Sequence, residues 1–161
     1  MMAKISVDAI KTLREKTGAP LGDVRAALEQ AGGDEAKARE WLKQKGFEAA
    51  QKRQGRSASM GRIESYVHHD GRVAALIEVN CETDFVARLP EFQAFCRDVA
   101  MQVASQHPED SKELLAQAFI KDSGQSIEQY LTALIAKTGE HIVIRRFSRF
   151  ALGETAADRA A

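Results

Sequence analysis

The dipeptide Asp70-Gly71 constrains this chain more than any other feature, because it joins two runs that can only be strands. Ahead of it, Ile63, Ser65 and Val67 alternate with Glu64 and Tyr66, and behind it Arg72 to Val79 forms an apolar run. Alternation on either side of an Asp-Gly pair specifies a β-hairpin, here with a two-residue turn. Near the end of the chain, His141 to Phe150, with Ile142-Val143-Ile144-Arg145-Arg146-Phe147 at its centre, reads as a third strand. It completes a small antiparallel sheet with the hairpin.

The remaining ordered sequence is helical in pattern. Ser6 caps a helix over Val7 to Thr17, with Ala9, Ile10 and Leu13 on one face and Gly18 at its end. A second helix covers Leu21 to Ala31, with Val24, Ala27 and Leu28 inward, and Asp34 caps a third from Glu35 to Lys45, with Gly46 as its stop. This three-helix domain over 1–46 has a small core, which suits docking better than catalysis. Residues 47–60 form a basic linker, helical or flexible, 61–153 an α+β core domain, and 154–161 a frayed tail. Within the core, Pro90 opens a helix to Gln106, Asp110 to Lys121 forms another, and Ser126-Ile127-Glu128-Gln129 is a capping box for a helix that stops at Gly139. The fold class is therefore α+β.

Composition excludes several roles. Lys+Arg and Asp+Glu both number 23, so no global charge steers the chain to nucleic acid or to an anionic membrane. Lys52, Arg53 and Arg56 lack interleaved aromatics and read as a solvated segment, which makes nucleic acid a poor candidate as direct ligand. Nothing reaches the length of a membrane span. Cys81 and Cys96 lack zinc-type spacing and no apolar leader precedes them, so they read as free thiols of a cytoplasmic protein. His68-His69-Asp70 has the residue types of a metal site, but adjacent histidines on a strand face opposite ways, so no metal is expected. There is no glycine-rich phosphate loop and no nucleophile with a partner base. The chain reads as a binder, not an enzyme, with no cofactor.

One stretch stands out from this background. Asn80-Cys81-Glu82-Thr83-Asp84-Phe85-Val86-Ala87-Arg88 follows the strand Val73 to Val79, and Thr83 can cap a short helix beginning at Asp84. Phe85 and Val86 either fill the core beneath that junction, with Asp84 as a first-turn charge, or stand on it as a presented tip. Composition alone favours the former.

That stretch, together with Leu13-Arg14-Glu15-Lys16-Thr17-Gly18-Ala19 near the start and Ile144-Arg145-Arg146-Phe147 near the end, closely resembles the bacterial elongation factor Ts family. The resemblance spans almost the whole chain and corresponds to a short form with one core subdomain. It implies a ubiquitin-associated-like helical domain, a core with a three-stranded sheet, and guanine nucleotide exchange on elongation factor Tu. It assigns Thr83, Asp84, Phe85 and Val86 to the tip that dislocates the partner's magnesium and phosphate site, and Arg14, Leu21 and Arg25 to the N-terminal contact. Many relatives carry a second core subdomain and a helical arm, for which this chain has no room. A single sheet would leave apolar surface uncovered, so a homodimer is expected. Gln102 stands where related segments often have histidine, and Pro20 and Gly22 flank Leu21, leaving it the only large apolar side chain of that loop. The rival reading is a peptide-binding adaptor built on the three-helix unit.

Overall fold

The computed structural model describes residues 5–155 and 157–159. The chain folds as two compact units, Met1–Arg56 with Gln129–His141, and Ser57–Glu128 with Ile142–Ala161.

The first unit begins with α1 (Val7–Thr17), whose N-terminus is closed by the Ser6 hydroxyl accepting from the Ala9 N–H at 3.1 Å. Gly18, at φ 65°, ends it and donates to the Arg14 carbonyl. Helix α2 (Leu21–Gln30) and helix α3 (Glu35–Arg53) follow, the latter capped by Asp34. Leu13, Val24, Ala27, Leu28 and Ala38 form the buried centre of these helices, with Ile10, Trp41 and Leu42 packed around them. On α1 and α2 these are the inward positions that the helical spacing predicts.

The third helix differs from expectation. It does not stop at Gly46 but runs on to Arg53, through the first half of the expected linker. Gly46 is buried, and a β-carbon there would lie 3.5 Å from Thr132 and 3.7 Å from Ala136, on α7 (Ile127–Thr138). The glycine permits close approach between two helices, and that packing offsets its poor helix propensity.

The second unit is built on strands β1 (Met60–Val67), β2 (Val73–Cys81) and β5 (Val143–Ala151), antiparallel in the order β1-β2-β5. The hairpin connection is longer than a two-residue turn. The last β1 pair is Val67 with Ala74, the His68 N–H still reaches the Val73 carbonyl, and Gly71, at φ 70°, closes the turn onto the His68 carbonyl. Helix α5 (Pro90–Gln106) covers one sheet face. Phe92, Phe95, Cys96, Val99 and Val103 meet Ala75, Ile77 and Val79, all buried. Period-two and period-3.6 patterns thus share one core.

The segment after α5 is also different. Helix α6 (Ser111–Ala116) ends early, and the expected helix over 110–121 gives way to a hairpin of β3 (Ala118–Phe119) and β4 (Asp122–Ser126). Gln102 on α5, which is fully buried, holds this hairpin. Its amide nitrogen donates to the Ala118 carbonyl at 3.0 Å and to Gln117 Oε1 at 3.2 Å, and its oxygen accepts from the Ile120 N–H at 3.0 Å. A tertiary partner has claimed the Ile120 N–H, which a helix would have spent on the Ala116 carbonyl. The expected frayed tail over 154–161 lies partly outside the described residues; within them, Thr155 donates twice to Asp158 beside the short turn Ala157–Arg159.

Candidate functional site

Strand β2 runs directly into α4 (Asp84–Ala87), one helical turn at the end of the sheet. Thr83 is extended, and its hydroxyl accepts from the Val86 N–H at 3.4 Å, while the Cys81 thiol donates to the Thr83 carbonyl at 3.2 Å. Arg88 closes the turn, its N–H reaching the carbonyls of Phe85 and Val86. The turn packs on β1, β2 and α5 through Val86 and Ala87, both buried.

Phe85 points the other way and is 85% exposed. Exposed leucines and valines are ordinary on a protein surface, but a phenylalanine held out on a capped, anchored turn is not explained by packing. The two sequence readings of this stretch therefore separate by residue: Val86 fills the core, and Phe85 stands clear of it. Asp84 is half-exposed beside it and forms an ion pair with Arg88 one turn on. Thr83, Asp84 and Phe85 thus share one rigid tip, with Val86 as its root.

The remaining predicted contact residues belong to the first unit. Arg14 is exposed on α1, and Leu21 and Arg25 lie one turn apart on α2, with Leu21 55% exposed and Arg25 paired to Glu29 at 2.8 Å. The charges are thus accessible and the leucine is a protruding apolar group.

Other candidate chemistry is accounted for by local structure. His68 receives or donates through Nδ1 to the Tyr66 hydroxyl at 2.9 Å, its ring lies 4.3 Å from that of His69, and Asp70 accepts from the Arg72 N–H. That backbone hydrogen bond holds the Asp70 carboxyl below its usual range. Among the described residues, no group of three or more His, Cys, Asp or Glu could hold a metal ion. Cys81 and Cys96 are both buried thiols outside any disulfide, and burial pushes Cys96 up to about 12. It is a core residue in its chemistry as well as its position. No helix among the described residues is long and apolar enough to cross a membrane.

Sequence reasoning missed the supports of the tip. Asn80, 7% exposed, accepts from Arg145 Nε at 2.8 Å and donates to Glu78 Oε1 at 3.1 Å, while Arg146 donates to Glu78 Oε2 at 2.7 Å. The hydrogen bonds from Asn80 and Arg146 hold the Glu78 carboxyl below its ordinary range. The adjacent arginines near the end of the chain are the one sequence signal of this network.

Known proteins bear on the same stretch. The family model described as Elongation factor TS matches residues 82–158, beginning two residues before α4. The chain is 39% identical to "Elongation factor Ts" of Anaeromyxobacter sp. (strain Fw109-5), covering 95% of this chain and 90% of that protein. It is 40% identical to the protein of the same name from Rubrobacter xylanophilus, over 91% of this chain and 98% of the relative, and 38% identical to that from Desulforamulus reducens, over 95% and 91%. The first alignment spans 198 positions against the 161 residues of this chain, so at least 37 of its positions (198 − 161) have no counterpart here.

Proposed function

This chain belongs to the elongation factor Ts family, and from that premise we propose that it is a guanine nucleotide exchange factor for elongation factor Tu, working in the cytoplasm during translation elongation. The observation that carries this reading is the exposed Phe85 on an anchored turn at the end of β2. An exchange factor performs no bond chemistry. It must bind the nucleotide-free partner more tightly than the GDP-bound one, and linkage then requires that it weaken GDP by the same factor.

The tip suits that task. Phe85 is the wedge, entering between apolar elements of the partner, and Asp84 places a carboxylate where it can compete for polar groups around the magnesium and phosphates. Burial of one phenylalanine contributes about 1.5–3 kcal/mol, or roughly one to two powers of ten in affinity. Any larger acceleration needs a second contact, which Arg14, Leu21 and Arg25 supply from the helical unit. Its three-helix, ubiquitin-associated-like arrangement then serves as the grip and the sheet unit as the lever.

The uncovered face of the sheet supports a homodimer. Strand register puts Ile63, Val67, Leu76 and Phe150 on the side away from α5, and each is about half or more exposed. A two-fold pairing of this face with its copy would cover all four at once. Sedimentation of the parent and of a Leu76→Glu variant tests it: a parent that stays monomeric at tens of micromolar removes the dimer from the reading.

The deciding experiment is release of a fluorescent GDP analogue from elongation factor Tu, with the parent and with an Asp84→Ala, Phe85→Ala double variant. Acceleration by the parent and its loss in the folded variant are expected. A parent that accelerates nothing over a wide concentration range refutes exchange; if it nonetheless binds helical peptides through the first unit, the adaptor reading replaces it.

A further inference from the structure

We propose that Arg145 is a positioning residue for the tip, acting through Asn80; this rests on the exchange reading above. In the pairing of β2 with β5, Glu78 faces Arg146 and Val79 faces Ile144, so Arg145 is the extra residue of a β-bulge. A bulge re-aims a side chain that regular pleating would send to the other face. Here it puts Arg145 and Arg146 to work side by side on neighbouring groups of β2.

Arg145 ties three segments together. Its Nε donates to Asn80 Oδ1 at 2.8 Å and its Nη2 to the Ala58 carbonyl, just before β1, at 3.3 Å. The planar, multiply donating guanidinium is suited to this; a single ammonium cannot reproduce its fork. Asn80 is buried and lies three residues before Thr83, and its own amide is spent on Glu78. On the other side, Gly61 of β1 pairs with Asn80 at φ 142°, with no space for a β-carbon. The strand end is thus held from both flanks immediately before the tip begins.

Such holding is needed because α4 has only four residues. One turn of helix has no stability of its own, so the direction of Phe85 is inherited from its packing and from the strand that feeds it. A working group must be held to within about half an ångström by its supporting shell. Loosening Asn80 therefore changes where Phe85 and Asp84 arrive while leaving the helical unit's grip intact.

The test is a double-mutant cycle on GDP release from elongation factor Tu, with hydrogen exchange measured on the free protein. Arg145→Ala is expected to lower the maximal release rate by about ten- to hundredfold, the usual cost of a misplaced group, with the half-saturating concentration within twofold of the parent. In an Asp84→Ala, Phe85→Ala background, removing Arg145 should change the residual rate less than twofold. Backbone amides over 84–88 should exchange faster in Arg145→Ala than in the parent. If Arg145→Ala fails to fold, Arg145→Lys, which keeps the charge but cannot bridge Asn80 and Ala58 together, takes its place with the same expectations. A parental rate, a change confined to the half-saturating concentration, or an equal loss in both backgrounds overturns the proposal. A parent without exchange activity sinks the exchange reading instead, and unchanged protection over 84–88 then still refutes the positioning role.

Discussion

Phe85 and Val86 are consecutive residues of one helical turn, yet the first is 85% exposed and the second 6%. Their contributions should therefore separate cleanly. Phe85→Ala should change unfolding free energy by no more than about 0.5 kcal/mol, as surface substitutions do, while GDP release from elongation factor Tu slows. Val86→Ala removes the equivalent of two buried methylenes and should cost about 1.5 kcal/mol or more. Urea unfolding of the two variants checks the division; equal losses of stability would contradict it.

Gln102 makes the second prediction. Its complete burial makes it an internal clamp, not a surface contact. Gln102→Ala strips the Ala118 carbonyl and the Ile120 N–H of their partner. Ala118 and Ile120 are exposed, so water can replace part of what is lost, and the two hydrogen bonds, at about 0.5–1.5 kcal/mol each, give an expected total near 1–3 kcal/mol on urea unfolding. The hairpin over 118–126 should also become the first site of proteolytic nicking. Cleavage that begins elsewhere, with parental stability, would show that the hairpin holds itself.

Phe85, Val86 and Gln102 also mark where the sequence was legible. Helices α1, α2 and α5, the three strands and the Thr83 cap follow from periodicity and capping residues, because their apolar faces meet partners of matching period. Gly46 misleads because its role depends on Thr132 and Ala136, more than eighty residues away. The hairpin that replaces part of the helix expected over 110–121 is hidden for the same reason, since Gln102 holds it from another element. At the site, residue types identify the stretch, but whether Phe85 or Val86 faces solvent depends on how the turn is rooted between β1, β2 and α5. Periodicity has nothing to say about a helix of one turn.

Glu78 carries a pH dependence with a definite sign. Hydrogen bonds from Asn80 and Arg146 lower its folded pKa from the ordinary value of 4.5. A depressed carboxylate contributes stability that is fully present above its unfolded pKa and is lost as pH falls through its folded one. The stability difference between parent and Glu78→Gln should therefore be constant above about pH 5.5 and shrink below about pH 4.5. Glu35 and Asp70, also depressed, are common to both proteins and cancel. Chemical denaturation at a series of pH values measures the difference, and one that stays constant down to pH 3 would remove the linkage.

Two glycines should respond to the same substitution with opposite signs. Gly61 has φ 142°, and a β-carbon there would land on the Val79 carbonyl oxygen and 2.7 Å from the α-carbon of Asn80. Both obstacles are backbone, so neither can rotate aside, and the conformation alone costs a side chain about 1–3 kcal/mol. Gly61→Ala should destabilise by at least that much, and by displacing Asn80 should also slow GDP release. Gly22 lies in the first turn of α2, its φ is not positive, and nothing stands within 4 Å of where a β-carbon would go. Gly22→Ala should stabilise by up to about 1 kcal/mol, chiefly by narrowing the unfolded ensemble. Paired urea titrations read both signs in one experiment. If Gly61→Ala were neutral, β1 would have to move away from Asn80 without loss, and the strand end would not be fixed from that flank.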